Sequence, residues 1–273
     1  MQALPQATFL LLLEAAMGGT IALFWVHLRR EVDRGFTLFT GICCLILGGL
    51  AIWLRTGFPP LVSPALDPTP ALWFAVERTL SIAFEVLLTV YLIGLGSKSW
   101  HPVTRLLGPL VPLLGLGAVW AAGLVAPSSQ LLGVGTPLAV LAGALALGSA
   151  LAALSLGHWY LVAPTLSVRP LVQLTLFCLG SLVGQSVLLA LLLVLPGPRP
   201  ERVQLLLSEY AIFFGVRVVF GLVVPLALTV MAWRTARIRS LDSATGLLYV
   251  VAALILAGEI AARTLFFLTD IAT

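Results

Sequence analysis

The sequence predicts an all-α protein, a polytopic integral membrane bundle of about eight transmembrane helices in a single domain, 1–273. Of its 273 residues, 60% are hydrophobic and 10% are charged, whereas soluble domains hold about 45–50% and about 25%. Mean hydropathy is +1.10, and the apolar residues gather into runs near the ~20 residues that cross a bilayer. A fold in water could not cover this much apolar surface with so few charged residues. The protein must therefore be surrounded by lipid.

The same composition excludes several classes of function. Short connections leave no room for a large soluble catalytic domain. Nucleic-acid binding is excluded despite a pI near 9.3, because the net charge of +4 comes from arginines at the ends of apolar runs. The cysteines are Cys43, Cys44 and Cys178, without a Cys-x-x-Cys pair. We therefore predict no iron–sulfur cluster, structural zinc or c-type haem in this chain.

Eight apolar runs are separated by short polar or proline-containing connections. They cover 8–28, 37–54, 71–95, 106–126, 131–162, 171–195, 210–233 and 246–268. A secretory signal has Lys or Arg before its apolar stretch, but neither precedes the first run here, so a retained helix is predicted. Prolines interrupt helix within 57–70 and 196–200, because proline lacks an N–H donor. The fifth run is long enough to tilt or to extend past the bilayer.

Basic residues are distributed unequally between the two sides of the predicted bundle. Nine lie in connections after odd-numbered runs: Arg29, Arg30, Arg34, Lys98, Arg105, Arg169, Arg234, Arg237 and Arg239. The opposite side has three: Arg55, Arg199 and Arg202. Because short basic loops stay in the cytoplasm, both termini are predicted to be non-cytoplasmic, in a bacterial inner (plasma) membrane.

Small residues recur every fourth position in two of the runs. The fifth run has two such rows, Ala142, Ala146 and Ala150, and Ser149, Ala153 and Gly157. The sixth run contains Gly180-x-x-x-Gly184. Such rows let helix backbones approach closely in lipid, so these faces are predicted to pack against other helices.

Charged side chains within the runs are the candidates for function, since each costs at least about 2.5–3.5 kcal/mol on insertion scales. The set is Glu14, Glu77, Arg78, Glu85, Arg217, Glu259 and Arg263. Glu77, Ser81 and Glu85 are spaced to share one helix face. We predict a polar pocket among the first, third, seventh and eighth helices.

Quinone chemistry would use such a pocket, because two protons accompany two electrons and a carboxylate must exchange them with water. An arginine can hydrogen-bond a quinone carbonyl and stabilise its developing charge. We predict that Glu85 or Glu259 exchanges protons, and that the quinone is bound by Arg217, Arg263, Glu14 and Arg78. Glu259 and Arg263 are also four residues apart, which suits an ion pair that merely fixes helix register.

The histidines allow a second interpretation, a b-type haem. His27 and His158 both lie near the cytoplasmic ends of their predicted helices, at one depth, so they could ligate a haem between them. Gly157 would allow close approach of the ring. Trp159 and Tyr160, which follow His158, are also ordinary interfacial anchors at a helix end, and this interpretation is favoured over haem.

The last two runs resemble a known family. Gly258-Glu259, Arg263 four residues on, and the aromatic pair Phe266-Phe267 are similar to the closing helix of NrfD/DmsC-type membrane anchors of respiratory oxidoreductases. The resemblance implies eight helices with outside termini. It also implies a subunit that exchanges electrons between menaquinone or ubiquinone and an iron–sulfur partner, without a redox centre of its own. Where such anchors often have His-Leu-Gly after the second helix, this chain has 54–57, Leu-Arg-Thr-Gly.

Together these features predict a membrane anchor subunit of an electron-transfer complex, in contact with lipid, the quinone pool and an iron–sulfur or cytochrome partner. That partner is expected to dock over 57–70 and 196–202. One alternative is a haem b-binding membrane subunit. Another is a transporter, or a structural subunit of a larger respiratory or photosynthetic complex.

Overall fold

The computed structural model describes residues 3–27, 32–58, 68–97, 104, 106–126, 130–162, 166–195 and 200–273. The eight main helices are α1 Ala3–His27, α2 Arg34–Gly57, α3 Pro68–Gly96, α4 Leu110–Val125, α5 Gly135–Val162, α6 Arg169–Val194, α7 Ala211–Arg237 and α8 Leu241–Thr269. Seven are long and apolar enough to cross a membrane, whereas α4 has only 16 residues. The predicted helical membrane bundle is thus confirmed for the described part of the chain.

The helices form two bundles of four. In the first bundle, α1 packs on α2, α2 on α3, α3 on α4, and α4 returns to α1. In the second bundle, α5 to α8 repeat the same order of neighbours, and α1 against α5 joins the two. No sequence repeat accompanies this repeated packing. Helices in lipid associate through close packing of their side chains and backbones rather than through hydrophobicity. Different apolar sequences can therefore form the same arrangement of helices.

One face of the molecule brings both ends of the chain together, and we call it the termini face. Gln6 near the start of α1 donates to the Phe58 carbonyl just after α2, 3.0 Å away. Gln130 donates to the Leu192 carbonyl at 2.9 Å and accepts from the Ala272 N–H at 2.6 Å. The last residues of the chain are therefore fastened to the starts and ends of other helices at this face.

The contact between α1 and α5 depends on two glycines. A Cβ placed on Gly18 would lie 1.7 Å from the Ala144 carbonyl oxygen, and one placed on Gly148 would lie 2.0 Å from the Gly18 carbonyl carbon. The predicted small-residue rows of α5 face the packed interior. Ala142 is half-buried, and the other members are buried: Ala146, Ser149, Ala150, Ala153 and Gly157. The prediction of close packing by α5 is confirmed.

The corresponding prediction for the sixth run is wrong. A Cβ added at Gly180 or Gly184 would meet no described atom within 4 Å. This row faces away from the rest of the chain, because α6 packs through another face that includes Leu182 and Leu189. Four-residue spacing places small residues on one face of a helix but does not say which face packs.

Several predicted helix ends also differ from the structure. α2 continues through Gly57, so Arg55 lies inside the helix rather than in a connection. α3 begins at Pro68, because the first turn of a helix does not use its backbone N–H groups and so tolerates proline. The fifth run does not start as α-helix at 131: Leu131 and Leu132 adopt left-handed conformations, with φ of 47° and 56°, in a tight turn before α5.

Candidate functional site

A buried cluster of four charges lies where α1 meets the second bundle. Glu14 comes from α1, Arg217 from α7, and Glu259 and Arg263 from α8. All four side chains are at most 1% exposed. The two carboxylates balance the two guanidinium groups, so the cluster is formally neutral.

Glu259 is the centre of this cluster. Its Oε1 accepts from Arg217 Nη1 at 2.8 Å and from Gln185 Nε2 at 2.6 Å. Its Oε2 accepts from Arg263 Nη2 at 3.0 Å, which is the ion pair that the i, i+4 spacing suggested. Arg263 Nε lies 2.8 Å from Glu14 Oε1. Each charged group therefore has an opposite charge within 3.0 Å, which offsets the cost of placing it in lipid.

Local backbone features bring the cluster together. Arg217 lies at the start of a π-helical segment, Val216–Val223, which changes the direction of side chains relative to a regular α-helix. Gly221 and Gly258 let α7 and α8 approach closely, since a Cβ on Gly258 would lie 2.2 Å from the Gly221 Cα. A Cβ on Gly143 would lie 2.5 Å from Arg263 Nη2, so α5 also closes over the charges.

A second polar group lies in the first bundle, near the termini face. Arg55 of α2 forms a two-point ion pair with Glu77 of α3, with Nε to Oε1 at 3.1 Å and Nη2 to Oε2 at 2.6 Å. Arg55 also donates to the Gln6 side chain. Its guanidinium carbon lies 4.3 Å from the centre of the Phe9 ring and 5.1 Å from that of Phe74. These cation–π contacts and the ion pair fix the orientation of Arg55.

A cavity of about 170 Å³ borders this pair. Three helices line it, with Phe9 from α1, residues 52, 55 and 56 from α2, and Phe74, Glu77, Arg78 and Ser81 from α3. Arg78 and Thr56 are exposed, whereas the Ser81 side chain is buried and its hydroxyl has no hydrogen-bond partner. The cavity thus combines aromatic walls with a buried hydroxyl and two guanidinium groups.

Glu85 lies two helical turns beyond Glu77, about 12 Å further along α3. Its Oε1 is buried without a hydrogen-bond partner. A Cβ on Gly48 would be 1.7 Å from this atom, so the carboxyl group rests directly against the α2 backbone. Unlike Glu259, Glu85 has no ion pair within the described part of the chain.

An apolar cleft lies on another side of α1. It encloses about 450 Å³ between α1, α2, α5 and α8, and its walls are leucine, isoleucine and alanine side chains apart from Thr8. Such walls suit a hydrocarbon chain. They provide few polar groups that would orient a quinone ring.

The two candidate haem ligands face different bundles. The His27 ring is in edge contact with Tyr91 of α3, at 6.2 Å between centres. His158 is exposed, and its Nδ1 lies 3.4 Å from the Tyr249 hydroxyl of α8. The structure does not bring these histidines together into one site. Haem binding by the pair stays a prediction.

The structure divides the predicted pocket into two separate places. Glu14, Arg217, Glu259 and Arg263 are brought together, but Arg78 and Glu85 belong to the first bundle. Arg55 was not among the candidates predicted from the sequence, because hydropathy ends the second apolar run at Leu54. The helix itself continues for three more residues, through Gly57. Glu77 was the signal that could have identified Arg55, because a carboxylate buried in lipid requires a cation at the same depth.

Fold and sites define the class of protein: an integral membrane protein, a helical bundle with intramembrane ion pairs. A scan against models of protein families and a search of curated proteins both find no match to this chain. Assignment of function therefore depends on the two polar sites themselves.

Proposed function

We propose that this chain is a quinone-interacting membrane anchor subunit of an electron-transfer complex, and that the quinone ring occupies the cavity between α1, α2 and α3. The observation that carries the proposal is this cavity of about 170 Å³, with Arg55, Arg78 and Ser81 beside the rings of Phe9 and Phe74. A cavity of about 150 Å³ is enough for benzene. One substituted ring therefore fits, while its hydrocarbon tail would extend into lipid.

The lining side chains suit a quinone. The Arg78 guanidinium is exposed and has no carboxylate partner among the described residues, so it is available to donate to a quinone carbonyl. The buried Ser81 hydroxyl has an unused hydrogen bond for the same ring. Reduction adds two electrons and two protons to the quinone, and Glu85, one turn beyond Ser81, is the carboxyl group placed to supply a proton.

The ion cluster of the second bundle is less suited to this role. Arg217 and Arg263 each already contact a carboxylate within 3.0 Å. Both side chains are also only 1% exposed, whereas Arg78 is exposed and borders the cavity. We therefore infer a structural role for Glu14, Arg217, Glu259 and Arg263, and assign the quinone to Arg78 and its neighbours.

We propose that electrons reach the quinone from another subunit, since the three cysteines of this chain do not form a Cys-x-x-Cys motif for an iron–sulfur cluster or c-type haem. We propose an iron–sulfur or cytochrome partner that docks at the termini face, beside the cavity. The expected docking segments, 57–70 and 196–202, lie mostly outside the described residues. This arrangement agrees with what the resemblance to NrfD/DmsC-type anchors implies.

Filling the cavity tests this function. In the complex purified in mild detergent, Ser81→Leu should lower the extracted quinone per chain by about tenfold or more, equivalent to about 1.4 kcal/mol of binding. Thr79→Leu is the matched control, since Thr79 is exposed on the same helix and its hydroxyl donates to the Ala75 carbonyl. The control should keep its quinone. Equal quinone content in both variants would contradict the proposed site.

Orientation in the membrane is also a proposal. The nine-to-three distribution of basic residues favours a bacterial inner membrane with the termini face outside the cytoplasm. Alkaline phosphatase fused at Thr273 should then be active, and fused after Arg239 it should be inactive. The reverse pattern would place the cavity and the docking surface on the cytoplasmic side.

A further inference from the structure

Polar side chains continue beyond the cavity, along the junction of α1, α2 and α3. Next to Ser81 comes Glu85, which rests on Gly48. Thr40 and Cys44 lie on the same face of α2 as Gly48, at steps of four residues. Tyr91 follows on α3, and its ring contacts His27 near the end of α1. The column thus extends from the termini face almost to the opposite face.

Four atoms in this column are buried without a hydrogen-bond partner: Ser81 Oγ, Glu85 Oε1, Thr40 Oγ1 and the Tyr91 hydroxyl. Each such atom costs about 1–3 kcal/mol if it stays unpaired. Other buried threonines differ: Thr175 and Thr229 of the second bundle donate to carbonyl oxygens of their own helices, at 2.7 and 2.6 Å. The Thr245 hydroxyl of α8 is also unpartnered, but it lies outside the column. The four unpartnered oxygens of the column thus lie along one junction, between α2 and α3.

The spacing of the column suits single water molecules. Residues four apart on a helix are separated by about 6 Å along its axis. A water molecule that accepts one hydrogen bond and donates another spans about 5.6 Å. One water between successive groups would join Ser81, Glu85, Cys44 and Thr40 into a continuous hydrogen-bonded chain. The Thr20 hydroxyl, beside the Cys44 thiol, adds a further polar group at the same level.

We propose that this column is a proton path between the cavity and the face opposite the termini, with Glu85 as the proton carrier. A proton enters near His27 and Tyr91, passes through the hydroxyl groups of α2, and binds the Glu85 carboxylate. Glu85 then releases a proton through Ser81 to the cavity and returns to its starting state, so no net chemical change occurs. The path depends on the proposed function only for the final acceptor, because quinone would take the proton in the cavity.

The test is proton flux through the full chain in liposomes of synthetic, quinone-free phospholipid. A potassium gradient with valinomycin supplies the driving voltage, and enclosed pyranine reports internal pH. The wild-type chain should conduct protons well above protein-free liposomes. Glu85→Gln and Thr40→Val should each lower the flux by about tenfold or more. Thr175→Val is the matched control, a buried threonine of the second bundle, and should leave the flux unchanged.

Two results would overturn the path: wild-type flux equal to that of protein-free liposomes, or equal flux in the Thr40→Val and Thr175→Val proteins. Thr40→Val keeps the test valid if Glu85→Gln does not fold. The proposed function fails separately. Proton flux from a chain that binds no quinone would contradict the quinone site alone, whereas quinone binding without flux would contradict the path alone.

Discussion

Replacing Arg263 by methionine is expected to destabilise the folded chain by about 3–5 kcal/mol, the cost of removing one member of a buried ion pair. Arg263 contacts both carboxylates of the cluster, with Nε 2.8 Å from Glu14 and Nη2 3.0 Å from Glu259. Its loss would leave a net negative charge enclosed by four helices. The measurement is the yield of monodisperse protein and its thermal stability in detergent, by size-exclusion chromatography after heating.

Charge balance distinguishes this explanation from simple loss of packing. The double variant Glu14→Gln with Arg263→Met restores neutrality, so it should recover more than half of the lost stability. Arg202→Met is the control, because Arg202 is only half-buried and donates a 3.3 Å hydrogen bond to the Thr269 carbonyl. A double variant less stable than Arg263→Met would show that the cluster is not held together by its charge balance.

Replacing Gly148 by alanine is expected to cost about 3 kcal/mol or more, at or above the upper end of overpacking effects. The added methyl group would lie 2.0 Å from the Gly18 carbonyl carbon and 2.2 Å from the Gly19 nitrogen. Both are backbone atoms, so no side-chain rotation relieves the clash. α1 would have to move away from α5, and the two bundles would separate.

Gly180→Ala is the matched control for this prediction. Gly180 lies within α6, and a Cβ there meets no described atom within 4 Å. Alanine should therefore be neutral or stabilising by about 0.5–1 kcal/mol, because glycine weakens a helix interior. Membrane yield and thermal stability of the two variants should differ clearly. Similar behaviour would show that the α1–α5 contact is not closely packed.

Hydropathy predicts some features of this structure and not others, because the protein folds in lipid. The eight apolar runs and the charges within them can be recognised in the sequence, because apolar side chains favour transfer from water to lipid and charged side chains oppose it. The sequence does not reveal which side of each helix packs against the other helices, since lipid-facing and buried surfaces are both apolar. Gly180 and Gly184 illustrate this: their spacing equals that of the packed rows in α5, but they face outward.

The candidate site was predictable only in part, for a related reason. Glu259 and Arg263 lie on one helix, so their ion pair follows from the spacing. Pairs between helices, such as Arg55 with Glu77, depend on neighbours and rotation that the sequence does not state. Gln185 is neutral and was no candidate, yet it donates to Glu259 at 2.6 Å. Sorting the charges into a closed cluster and an open cavity therefore required the structure.

The most direct test of the central claim is to locate a photoreactive quinone bound to the purified complex. A short-chain azidoquinone would be illuminated in the presence and absence of excess unlabelled quinone, and modified peptides identified by mass spectrometry. We predict that the modifications removed by competition lie within 52–56 and 74–81, the segments of α2 and α3 that line the cavity. Competed modification around Arg217 and Arg263 instead, or none in this chain, would contradict the assignment of the quinone to this cavity.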